Sequence, residues 1–322
     1  MKAAIVYEFG QAPQYGEYEL QALQSPHKVY INVIAAGLHQ RVRSQADGSH
    51  YTSIGKLPLV PGVDGVGRLP DGRLVYFVMP DDSLGSMAEQ TIIDPRRSLP
   101  IPDGADPIQI AAVMNPAMSS WVTLRQRSPL KQGSHVLVMG ATGSSGQMAV
   151  QIAKLLGAER VIAAGRHSER LNRLTAIGAD TLVSLEGEPS EVSERLGEAA
   201  ADVDVVIDYL WGKPAEWAIP SMLKQRQDRS HALDWIQIGS MAGATANIPA
   251  AALRSANFRL LGSGQGSLSP TAYLAEFPAL INCIAAGTLK LPVQTFPLAD
   301  VEQAWNASTD PQQRIVLLPG LV

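Results

Sequence analysis

Gly140, Gly143 and Gly146 stand three residues apart, directly after the apolar run Val136-Leu137-Val138. After them Met148, Ala149, Ile152, Leu155 and Leu156 recur with the period of a helix that buries one face. Strand, glycine-rich turn and helix in that order make a phosphate site. Glycines let backbone N–H groups approach a pyrophosphate, and the helix start offers unpaired donors and a positive dipole end. Thr142, Gly143, Ser144, Ser145 and Gly146 are therefore the expected pyrophosphate contacts. The alternative is a tight turn that uses glycine for geometry alone.

The following strand, RVIAAG, ends at Gly165 with no Asp or Glu at its tip. A carboxylate there would bind both ribose hydroxyls and repel a 2′-phosphate. Instead Gly165 leaves room, Arg166 offers a planar donor fork, and Ser168 and Arg170 follow within one helical turn. The pattern predicts NADPH rather than NADH. The competing reading has these arginines merely solvated. Gly239 and Ser240 close the apolar stretch DWIQIG, at the end of the sheet where ligands gather in open α/β folds. Asp208 ends VDVVID in the same way, and is read either there or as a solvated loop carboxylate.

Elements positioned to carry these groups can be read along the chain. Residues 1–115 hold short strand-like segments (KAAIVYEF, KVYINVIAAG, RLVYFVM) bounded by Gly, Pro and Asp, which predict a compact β unit. IQIAAVMNPAMSSWVTLRQRS is helical in period, with Pro116 expected to kink or restart it. From 135 strands and helices alternate, with helices expected at 168–178, 188–200, about 214–226 and 270–287. Such alternation means a parallel sheet covered on both faces. The tail 288–322 is too short for a domain and is expected to return to the first one. The fold class is thus α/β, a doubly wound Rossmann sheet beside a β-rich unit. Residues 1–117, completed by 288–322, form one domain and 118–287 the other.

Composition narrows the function classes. The 322 residues carry a formal charge of −4 with 46% apolar content, and no basic run or aromatic-basic interleaving points to nucleic acid. No apolar stretch is long enough for a signal peptide or a membrane span, so a cytoplasmic protein without membrane partners is expected. Cys283 is the single cysteine, in an apolar helical context, and is read as an inert core residue.

Several motifs in order carry a resemblance: MKAAIVYEFG, PGVDGVG (61–67), GSMAEQ (85–90), LPIPDGADPIQIAA (99–112), GATGSSGQMAVQIAKLLGA and FPLADVEQAW…RIVLLPG. Along nearly its whole length the chain resembles the zinc-independent quinone oxidoreductase (ζ-crystallin-like) branch of the medium-chain dehydrogenase/reductase superfamily. The resemblance implies a GroES-like catalytic domain made from both termini and a Rossmann domain between them. It implies an NADPH-dependent hydride transfer to a quinone or an α,β-unsaturated carbonyl.

Departures from the family pattern lie in the first loop. Zinc-dependent relatives carry cysteine where this chain has His39, and a His-Glu pair where it has Val63-Asp64. His39 and Asp64 are too few for a catalytic zinc, which takes three protein ligands, so no metal is expected. Zinc-free relatives show Asn-Pro-x-Asp where His39-Gln40-Arg41-Val42 stands. His39 thus falls at a position that contacts substrate or nicotinamide in the family. Tyr51 falls where the enoyl-thioester reductases place a tyrosine. These two are the catalytic candidates, and the alternative is a hydrogen-bonded loop histidine and a rim aromatic. Asn115-Pro116 resembles the Asn-Pro of the enoyl reductases, so Asn115 is a candidate for holding the cofactor, or else a helix cap. Enoyl-thioester reduction and a non-catalytic NADPH-binding role are the competing functions. FRLLGS (258–263) reads as a last strand with an unpaired edge, and the family covers that edge by forming a homodimer.

Overall fold

The structure is a computed structural model. It describes every residue except Gln24, Tyr51, Ile54, 80–83, Gln265, 308–312 and 321–322. The chain forms two compact units, Met1–Asn115 with Phe277–Val322, and Pro116–Glu276.

In the first unit β1 (Lys2–Ile5) and β2 (Gln14–Glu17) make a hairpin. The long β3 (Val29–Leu38) leads into α1 (Gln40–Ala46), followed by β4 (Asp64–Arg68), β5 (Leu74–Val78), β6 (Gln90–Ile93) and β7 (Ser98–Pro100). Then comes α2 (Pro107–Val122), which the chain follows into the second unit.

That second unit holds β8 (His135–Met139), α3 (Ser144–Leu155), β9 (Arg160–Gly165), α4 (Ser168–Asn172), β10 (Thr181–Ser184), α5 (Pro189–Ala200) and β11 (Val205–Asp208). It continues with α6 (Gly212–Gln225), β12 (Leu233–Gln237), α7 (Ala252–Ser255) and β13 (Phe258–Gly262). The helix α8 (Pro270–Ala285) leads back to the first unit, which ends with β14 (Val293–Pro297), α9 (Val301–Ala307) and β15 (Arg314–Leu318).

The second unit is a parallel sheet in the order β10-β9-β8-β11-β12-β13. This is the order of a dinucleotide fold, with its switch point between β8 and β11. Strands β9 and β11 are buried over almost their whole length, as a sheet covered on both faces requires. Leu137, Ile162, Val206 and Trp235 pack on one face against Val192, Leu196, Ile219 and Met222 of α5 and α6. Edge strand β13 is different, with Arg259 and Leu260 exposed.

The first unit is a seven-stranded sheet in which β14-β15-β3-β4-β5-β7 are neighbours and β6 pairs with β3. The chain's tail does return there: β15 runs antiparallel to β3, with Ile315 opposite Leu38. Mixed α/β architecture with a parallel sheet and a separate β-rich sheet is the Rossmann plus GroES-like combination.

Three local expectations need correction. Pro116 does not restart its helix, since α2 runs unbroken to Val122. The missing proline N–H leaves the Ala112 carbonyl without its helical donor, and Arg314 Nε donates to that oxygen at 3.1 Å. The segment expected as one helix over 168–178 is α4 followed by a 3₁₀ turn, Arg173–Ile177, stopped by Gly178 at φ 111°. Cys283 is half-buried rather than a core residue.

Candidate active site and cofactor site

In the second unit β8 stops at Met139, the turn occupies 140–143, and α3 begins at Ser144. The N-cap residue, Gly143, has no side chain to cap the helix. Thr142, Gly143, Ser144 and Ser145 are half-buried and Gly146 is buried. A Cβ on Gly146 would lie 2.5 Å from Ala141 Cα, so this glycine lets helix and turn pack together. Around Gly143 an added Cβ would meet nothing closer than 3.8 Å, which leaves the turn open to a ligand. Close packing at one glycine and open space at another are what a pyrophosphate cradle needs.

At the end of β9, Gly165 is buried, and a Cβ there would lie 2.8 Å from Thr142 Cγ2. Strand end and glycine turn therefore touch. Arg166, His167 and Ser168 are exposed and Arg170 is half-buried. The nearest acid in sequence, Glu169, pairs with Arg173 at 2.6 Å instead of with Arg166. No described side chain or carbonyl holds the Arg166 guanidinium, whereas Arg170 does have a partner.

Gly239 and Ser240 follow β12 at the same, carboxyl end of the sheet, and the Gly239 N–H donates to the Asp208 carbonyl at 3.1 Å. Asp208 is not a solvated loop carboxylate. It is fully buried and accepts from the Leu210 and Trp211 N–H groups (2.8 and 2.9 Å) and from Trp235 Nε1 (3.0 Å). Burial pushes its carboxyl up, against those donors. The bonds fix Trp211 at φ 54°, a region that bulky residues avoid. Asp208 is thus the brace of the loop beside the switch point.

Another cluster lies in the first unit, across four neighbouring strands. His39 lies in the connection between β3 and α1 as the N-cap of α1, which fits the reading of a hydrogen-bonded loop histidine. Its Nε2 lies 3.0 Å from Asp64 Oδ1 at the start of β4. Tyr76 of β5 donates its hydroxyl to Asp64 Oδ2 at 2.7 Å. Arg314, which opens β15 next to β3, completes the set through its charge. All four are buried, Tyr76 completely and Arg314 at 8% exposure.

Burial pulls the His39 ring down, opposed by Asp64 and reinforced by Arg314 and Arg41. Burial drives the Tyr76 phenol well up, helped by Asp64, and pulls Arg314 down to about 10. A charged Arg314 and a carboxylate acceptor at Asp64 then balance each other beside a neutral histidine and a neutral tyrosine.

Of the remaining candidates, Tyr51 lies outside the described residues. Asn115 sits half-buried inside α2, so the helix-cap reading of it is wrong. Tyr76 and Arg314 were not singled out in the sequence. The available signal was an arginine opening the apolar RIVLL and a tyrosine inside LVYFV. Among the described residues no group of three or more His, Cys, Asp or Glu could hold a metal ion. No described helix is long and apolar enough to cross a membrane.

A family model described as zinc-binding dehydrogenase matches residues 146–285. A probable NADPH-dependent quinone reductase of Emericella nidulans is 28% identical over 360 residues, spanning 99% of this chain and 100% of that protein. A trans-enoyl reductase of Aspergillus terreus is 27% identical over 239 residues, which is 67% of this chain and 63% of that one. The quinone oxidoreductase of Thermus thermophilus, also solved as a complex with NADPH, is 26% identical with a TM-score of 0.81, covering 99% and 100% of the two chains. These likenesses support a quinone oxidoreductase-like protein of the medium-chain dehydrogenase/reductase superfamily.

Proposed function

We propose that this oxidoreductase uses NADPH to reduce a quinone or an α,β-unsaturated carbonyl compound, without a metal. The carrying observation is the end of β9, where buried Gly165 is followed by exposed Arg166 and no Asp or Glu stands at the strand tip. Thr142, Gly143, Ser144, Ser145 and Gly146 would hold the pyrophosphate. Arg166, Ser168 and Arg170 would hold the 2′-phosphate over Gly165. Gly239 and Ser240 would lie along the nicotinamide half, and Asn115 remains a candidate contact for it. The bound nicotinamide supplies the hydride, so the chain has to bind, orient and keep water out.

Metal independence is supported by the ligand count, since His39 and Asp64 pair with each other and a catalytic zinc takes three protein ligands. His39 stays the candidate for handling a proton at the substrate, with Tyr51 the second catalytic candidate. Names and identities of the relatives also support the reading: the Emericella nidulans protein is described as an NADPH-dependent quinone reductase. The test is turnover of NADPH with a simple ortho-quinone by metal-analysed protein. Absence of turnover, or stoichiometric zinc lost together with activity on chelation, contradicts it.

Reduction of an enoyl thioester is the second reading, favoured by the trans-enoyl reductase of Aspergillus terreus. We also propose a homodimer that pairs β13 with its twofold mate, because β13 ends the sheet with Leu260 exposed. Light scattering at micromolar concentration checks it, and a monomer mass rules it out.

A further inference from the structure

The His39 cluster has one unmet hydrogen-bonding atom. Both oxygens of Asp64 are engaged, Oδ1 with His39 Nε2 and Oδ2 with the Tyr76 hydroxyl. An ionised carboxylate can only accept, so Nε2 must carry the hydrogen. In the neutral ring Nδ1 is then a bare lone pair. Nδ1 is buried and has no hydrogen-bond partner, although every other atom in this contact chain is satisfied. Buried acceptors are rarely left unpaired, because the lost hydration is not regained.

We propose that His39 Nδ1 accepts a hydrogen bond from a hydroxyl group of the bound organic ligand, and that Asp64 and Tyr76 are the positioning residues that keep it an acceptor. The inference rests on the function proposed above, since the reduced form of a quinone carries the phenolic hydroxyl that a lone pair calls for, whereas the quinone does not. It also gives a direction to proton traffic. If the ligand's O–H bond breaks, the proton arrives on Nδ1 and the ring becomes an imidazolium whose Nε2–H already meets Asp64. The reverse step returns the proton to the ligand oxygen. Asp64 favours that charged ring, while Arg314, Arg41 and burial disfavour it, so the resting ring is neutral and accepts. Tyr76 remains a phenol throughout, because its hydroxyl is held by Asp64 in the core.

The test uses the full chain with two probes of one shape, 2-naphthol and 2-methoxynaphthalene, titrated calorimetrically with and without NADP⁺. The naphthol should bind about five- to ten-fold more tightly than the ether, as one net hydrogen bond allows. His39→Phe should abolish the difference. Asp64→Asn, which can turn the ring to its other tautomer, should shrink it while Asp64→Glu restores part of it. Imidazole ¹⁵N spectra, assigned with His39→Gln, provide a readout that needs no folded Asp64 variant. They should show Nδ1 bare and Nε2 protonated at neutral pH. Equal binding of naphthol and ether to the wild type, a difference that survives in His39→Phe, or a protonated Nδ1 in the resting protein overturns the proposal. Turnover of NADPH with the ortho-quinone is measured separately. Its absence contradicts the function proposed above, and the binding and ¹⁵N readouts still decide the role of His39.

Discussion

The two units build their polar sites in opposite ways. At the carboxyl end of the Rossmann sheet the groups are local in sequence, half-exposed, and supplied mostly by backbone: the 140–146 turn, Gly165 and Arg166. In the GroES-like unit the groups come from beside β3 and from β4, β5 and β15 and lie in the core, with Asp64 joining His39 and Tyr76 through side chains. An open cradle can be altered with little effect on folding, since its donors look outward. A buried network cannot, because each member compensates another's lost hydration.

The largest effect should come from removing the hub of the buried network. Asp64→Ala strips the partners from His39 and Tyr76 and removes a nearby charge that favours the Arg314 cation. It should destabilise the protein by about 2–6 kcal/mol, from two buried polar groups left unpaired at about 1–3 kcal/mol each. Urea unfolding at neutral pH measures it, and a loss near the level of a surface substitution would remove the contrast between the two regions.

Within the Rossmann unit the sensitive position is expected to be the packed glycine rather than any outward donor. Gly146→Ala places a Cβ against the Gly140 carbonyl and 2.5 Å from Ala141 Cα, where only backbone could yield. A cost of about 1–3 kcal/mol is expected from overpacking, together with weakened NADPH binding. Gly143→Ala has open space and should cost markedly less. Equal losses from the two, measured by the same unfolding experiment, would mean that the turn is not divided into a packed and an open glycine.

A smaller effect separates the regions by pH. Burial lowers the His39 ring below its ordinary value near 6.5. Between the folded and unfolded values the unfolded chain binds the proton that folded His39 refuses. Stability from this group is therefore fully present above about pH 6.5 and is lost as pH falls through that window. Urea midpoints at pH 7 and pH 5 should fall further in wild type than in His39→Gln, while Arg166→Ala should track the wild type. Parallel slopes for wild type and His39→Gln would contradict the burial of a neutral ring.

This same division explains what could be read from the sequence. Strand RVIAAG, the glycine turn and the arginine after it are contiguous, so spacing and period disclosed them, and β9 occupies the segment read as a strand. The His39 network joins residues 39, 64, 76 and 314, whose meeting depends on the order of β15, β3, β4 and β5. No local period encodes that order. Asp64 drew notice only as a departure from a metal ligand pair, and Asp208 looked like a loop acid because its three donors come from the next turn and a neighbouring strand. Pro116 fails to restart its helix for a related reason. A helix-breaking residue is tolerated where a distant arginine caps the carbonyl it orphans.

Whether the open end of β9 is an NADPH site is tested most directly by equilibrium titration of NADPH and NADH, following nucleotide fluorescence, against wild type and Arg166→Ala. Wild type should prefer NADPH. The variant should bind NADPH roughly ten-fold or more weakly, as expected for losing a charge-assisted hydrogen bond of about 1.5–3 kcal/mol, with NADH changed by less than about two-fold. A wild type that prefers NADH, or a variant that loses both nucleotides equally, would contradict the assignment of Arg166 to a 2′-phosphate.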